Sequence, residues 1–107
     1  MQLRFTYEEK TYTLEYTRRT VKMLEAQGFV LEDVTKQLMT MLPMLFRGAF
    51  LAHHRGMDPN KIDQIFDLTP NKEALMGKLA EMYAAPYNDL LAEPAEGDLG
   101  KVEWTAV

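Results

Sequence analysis

An α+β fold, an N-terminal β-hairpin followed by about four helices, is predicted by three features of this 107-residue sequence. Residues 2 to 16 alternate apolar and polar with a period of two. From Thr17 onward, apolar residues recur at helical spacing. Cap and stop residues (Thr17, Gly28, the Asp58–Pro59 pair) cut that helical part into pieces. Strands first and helices after is the order of an α+β chain. The length suits one compact domain, expected over residues 1 to 93, with residues 94 to 107 as a tail.

In the hairpin, Leu3, Phe5 and Tyr7 point one way and Gln2, Arg4 and Thr6 the other; Tyr12, Leu14 and Tyr16 repeat the pattern. A period of two with aromatic and β-branched residues is a strand signal. A loop over Glu8 to Thr11 pairs Tyr7 with Tyr12, Phe5 with Leu14 and Leu3 with Tyr16. A lone hairpin is marginally stable, so its apolar face is expected to pack on a helix.

Thr17 caps a first helix with Val21 and Leu24 inside, and Gly28 ends it as a left-handed residue. Glu32 and Asp33 suit the positive end of a second helix, which is predicted to run to about His54. Asp58 followed by Pro59 opens a third helix carrying Ile62, Ile65 and Phe66. Thr69–Pro70 repeats that signature for a fourth, with a stripe of Leu75, Leu79, Met82, Tyr83, Pro86 and Leu90 that Pro86 is expected to kink or end. After Glu93, acids with Pro94, Gly97 and Gly100 read as a mobile tail, in which Trp104 is an anchor free to dock.

Composition narrows function mainly by exclusion. The net charge of −4 argues against a role driven by phosphate neutralisation, so no nucleic-acid partner is expected. About three of those charges sit after residue 92, leaving a nearly neutral body. The longest apolar run, Leu38 to Ala52, is broken by Thr40, Pro43, Arg47 and Gly48 and is too short to span a bilayer. MQLRFTYEEK has no secretory signal, and the chain has no cysteine; a cytoplasmic protein without membrane partners is the reading.

Chemistry has few candidates. The sequence contains neither Ser nor Cys, the two commonest covalent nucleophiles, and its glycines are scattered singly. His53 and His54 are adjacent, so they point about 100° apart on a helix and cannot chelate as an i, i+4 pair does. His54 is read as solvated and His53 as lying at the edge of the apolar face. Arg18, Arg19 and Lys22 are read as a solvated helix face. No enzymatic activity, metal or cofactor is expected.

The middle helix stands out. Val34, Leu38, Met41, Leu42, Leu45, Ala49 and Ala52 form one stripe, an ordinary core-facing side. Met39, Phe46 and Phe50 widen it on one flank, and Met44 and Leu51 on the other. A helix apolar nearly all round is either wrapped by its own fold or covered by a partner. Met39, Met44, Phe46, Phe50, Leu51 and Trp104 are therefore the candidate protein-binding residues, with the Met39–Phe46–Phe50 flank expected to be partly exposed and Leu38 and Leu42 internal. Eight methionines add adaptable apolar surface.

Three stretches carry a resemblance: LRFTYEEKTYTLEYT at 3 to 17, MLPMLFRGAFLAHHRGMDP at 41 to 59, and NKEALMGKLAEMYAAPYNDLLAE at 71 to 93. They resemble tail assembly chaperones, small proteins of the tail modules of long-tailed (siphovirus) bacteriophages and prophages of Gram-positive bacteria. The resemblance implies a mostly helical protein that covers the hydrophobic tape measure protein and recruits tail tube subunits, works in the host cytoplasm and is absent from the finished virion. It carries no site residues over. The rival readings are a minor tail or head–tail connector component that stays in the particle, and a small regulatory protein-binding module. Self-association is open on all three.

Overall fold

The structure, a computed structural model, describes residues 1–93, 100 and 102–106. Its architecture is the predicted α+β one. Strands β1 (Leu3–Tyr7) and β2 (Lys10–Leu14) form an antiparallel hairpin, followed by helices α1 (Arg18–Ala26), α2 (Leu38–Ala49), α3 (Pro59–Leu68) and α4 (Lys72–Leu91). A short 3-10 turn, Leu31–Asp33, precedes α2. The expected tail over 94 to 107 lies largely outside the described residues; Val102 and Trp104, which are described, are exposed.

The hairpin keeps the predicted faces but not the predicted register. Leu3 pairs with Leu14, Phe5 with Tyr12 and Tyr7 with Lys10. The connection is therefore a two-residue turn, with Glu8 and Glu9 both at positive φ (51° and 64°). Such a turn follows the right-handed twist of the strands, and here that match outweighs the usual preference for Asn or Gly. The slip of two residues preserves side-chain parity. Tyr12, Leu14 and Tyr16 are accordingly buried, with Leu3, Phe5 and Tyr7 half-buried against the core.

Helix α1 starts and stops as its sequence dictates. The Thr17 hydroxyl accepts the Thr20 amide and the Thr20 hydroxyl accepts the Thr17 amide, closing a capping box. At the other end Phe29 N–H donates to Leu24 O and Gly28 N–H to Glu25 O, with Gly28 at φ +91°. That is a Schellman motif, which needs the left-handed residue that glycine supplies at little steric cost. It turns Phe29 back onto the Tyr83 ring, 5.0 Å between centroids.

The single long middle helix is not seen. Between the 3-10 turn and α2, Gln37 leaves the helical region (φ −126°, ψ 56°). Residues 35 to 37 are all exposed, so a continuous helix there would bury nothing in return for its ordering. At the far end α2 stops at Ala49, and looser turns continue through His53. Inside α2, Gly48 faces the Leu24 side chain so closely that a Cβ would sit 2.5 Å from it; α1 and α2 meet at this point.

Asp58 caps α3 by accepting the Asn60 amide, as predicted. The cap predicted for α4 is not used. Thr69 instead donates to Ile65 O, and the Lys72 ammonium donates to Asp67 O and Thr69 O, so this linker terminates α3. Helix α4 begins after Asn71, which takes the left-handed conformation. Pro86 is buried and does not end α4, which continues to Leu91 and leaves Leu90 exposed. The core lies between α1, α2 and α4, where Leu24, Leu45, Leu79, Met82 and Tyr83 are almost wholly buried. Among the described residues no helix is long and apolar enough to cross a membrane.

Candidate functional site

Helices α2 and α3 leave an apolar groove between them. Leu38, Met39, Leu42, Pro43 and Phe46 line it from α2, and Phe66 from α3. Leu38 is 46% exposed and Met39 90%, while Phe46 forms the floor at 1%. Polar groups close the rim. Arg47 grips Asp63 with two guanidinium hydrogen bonds, Nε to Oδ1 at 2.9 Å and Nη2 to Oδ2. Those bonds hold the Asp63 carboxyl below, and the Arg47 guanidinium above, their ordinary pKa values. This two-point clamp sets the spacing of α2 and α3 across their polar edge. Asp67 completes the rim, and Lys72 lies 5.4 Å from the centre of the Phe66 ring, a cation–π distance.

The predicted binding residues are dispersed by the structure. Met39 is exposed in the groove and Phe46 lies beneath it. Met44 is half-buried against the core. Leu51 lines a separate cleft with Thr17, Arg19, Met23, His53 and Arg55. Trp104 is exposed and lines none of these clefts.

Phe46 and Phe50 are buried, at 1% and 0%, not partly exposed. The hairpin covers them, with Phe5 edge-on to Phe46 and Tyr12 tilted against Phe50, and Phe66 of α3 meets Phe46 at 5.0 Å. Leu38, expected inside, is exposed, and Leu42 is half-buried, because both line the groove left open between α2 and α3. The histidine roles are exchanged. His54 tucks against Tyr12 and accepts the Thr13 amide on Nε2 at 3.0 Å, while the more outward His53 pairs with Glu15 at 2.8 Å.

The site residues that sequence reasoning missed are Leu38 as an exposed residue, Pro43, Phe66 and the Arg47–Asp63 clamp. Nothing local marks Arg47 and Asp63 as partners, since only the α2–α3 turn brings them together. A second apolar surface lies at the end of α4, where Tyr87, Leu90 and Leu91 are exposed and the Tyr87 hydroxyl donates to Glu25.

Over residues 1–107 the chain matches the family described as Domain of unknown function (DUF5055). It belongs to that family. No curated protein and no solved structure matches it. Among the described residues of this DUF5055 chain, no group of three or more His, Asp or Glu is placed to hold a metal ion. Its most exposed apolar side chain on a groove wall is Met39.

Proposed function

We propose that this protein is a non-enzymatic protein-binding protein, and that it acts in the bacterial cytoplasm as a phage tail assembly chaperone, covering the tape measure protein and recruiting tail tube subunits. The observation that supports a binding role is the α2–α3 groove. An amphipathic client helix lays its apolar face into such a groove, reading it through side chains one turn apart. Met39 and Leu38 supply adaptable apolar contact, the Phe46 and Phe66 rings supply the floor, and the Arg47–Asp63 clamp holds the walls at fixed spacing. The choice of client rests on the resemblance of the hairpin, middle-helix and α4 segments to tail assembly chaperones.

Co-expression of the full chain with the tape measure and tail tube proteins of the same phage tests this reading. Recovery of a complex, its loss in Met39→Asp, and absence of the chain from purified particles are the expected results. Retention of the chain in finished particles would identify a structural tail component instead. Failure to bind either protein would remove the chaperone reading altogether.

A further inference from the structure

The hairpin is seated by its apolar face, with Tyr12 and Leu14 buried and Leu3, Phe5 and Tyr7 packed on the core, and its polar contacts end on the last residue of α2 and the residues just after it. Thr13 N–H donates to His54 Nε2 at 3.0 Å, Glu15 N–H donates to Ala49 O at 3.0 Å, and the Glu15 carboxylate meets His53 Nε2 at 2.8 Å. Ring contacts add to these, Tyr12 against His54 and Phe50, and Phe5 against Phe46. A two-stranded hairpin has little stability of its own and keeps its place through such contacts.

We propose that the hairpin is a displaceable cover over the aromatic face of α2, latched by His54 and released when that imidazole takes up a proton. The chemistry is that of the acceptor. Nε2 accepts the Thr13 amide only with its lone pair free, which requires the neutral imidazole with its hydrogen on Nδ1. A proton on Nε2 sets two donors against each other and breaks the latch.

The surroundings bias the ring toward the neutral form. Burial first, and His53 second, lower the His54 pKa from its ordinary 6.5. Lys10 of β2, Arg55 beside the ring, and Lys61 and Asp58 at the start of α3 line the same cleft; Arg19 of α1 lies on the far side, with His53. Of these neighbours, His53 is the charge that lowers the His54 pKa. The His53–Glu15 pair works in the other sense, because a proton on His53 strengthens it. His54 is therefore the release group and Glu15 the tether.

The sign follows from linkage. Lifting the hairpin removes the burial that chiefly lowers the His54 pKa, so as pH falls below about 6.5 the open form binds more protons than the closed form. The latch is complete above that value and is lost as pH falls toward the lowered pKa of the closed form. Glu15, held below its ordinary 4.5 chiefly by the hydrogen bond from His53, keeps the tether until more acid conditions. Opening bares Phe46 and Phe50 beside the α2–α3 groove. This inference concerns how the hairpin is held and stands whether or not the groove binds a client.

Amide hydrogen exchange of the full chain at pH 7.5 and 5.0, corrected for the intrinsic exchange rates, tests it. Protection of the Thr13 amide, relative to that of Leu79 in the core, is expected to fall about fivefold or more in acid. In His54→Gln, whose amide oxygen accepts at either pH, the ratio is expected to stay constant. A constant ratio in the unmodified protein, or an equal fall in His54→Gln, overturns the proposal. So does a neutral His54 carrying its hydrogen on Nε2, read from imidazole nitrogen shifts of the unmodified protein at pH 7.5. That measurement does not depend on how the variant folds.

Discussion

At the start of α2, Leu38 and Met39 stand 46% and 90% exposed; at its end Leu45, Phe46 and Phe50 are 0%, 1% and 0% exposed. Both halves are apolar, and a helical wheel does not tell them apart. What differs is the neighbourhood. The end of α2 is enclosed by the hairpin on one side and by Leu24 of α1 on the other, whereas Leu38 and Met39 at its start line an open groove toward α3. An apolar residue is evidence of a contact surface, and only the surrounding elements decide whether the contact is internal or with another molecule.

The largest effect expected from testing this contrast is at Phe50. Phe50→Ala empties a site enclosed by Tyr12, Phe46 and His54, and should cost about 3–5 kcal/mol in a urea or thermal melt. A cost under 1 kcal/mol would mean that the hairpin does not seal that end. Next comes Phe5, the half-buried hairpin residue edge-on to Phe46. Partial burial limits Phe5→Ala to about 1–3 kcal/mol, with faster exchange of hairpin amides than of α4 amides. Smallest is Met39→Ala, which should leave stability within about 0.5 kcal/mol of the unmodified protein while weakening capture of a helical client. A large loss of stability at Met39 would make the start of α2 core after all and erase the difference between the halves.

Most of the cap, stop and alternation signals were legible in the sequence. The Thr17 cap, the Gly28 stop, the Asp58–Pro59 start and the alternating hairpin faces all follow from hydrogen-bonding groups and φ preferences within a few residues. The hairpin register differs from the predicted one because strand twist selects a tight two-residue turn at Glu8 and Glu9 in place of a four-residue loop. The α4 cap was misread because Thr69 and Lys72 serve the end of α3, a competition between neighbouring elements that a one-helix signature does not contain. Of the candidate binding residues, Met39 was found where it is exposed; Phe46 and Phe50 were not, since their cover comes from residues some forty positions earlier.

By itself the sequence determined the α+β class, the order of hairpin and helices, and the surplus of apolar residues in the middle helix, because periodicity and capping are written at short range. Tertiary structure alone decided which part of that surplus is core and which is surface, joined Arg47 to Asp63, and set His54 under the hairpin as an acceptor for Thr13. These depend on which elements come together in space, and burial is a property of that arrangement, not of any segment taken alone.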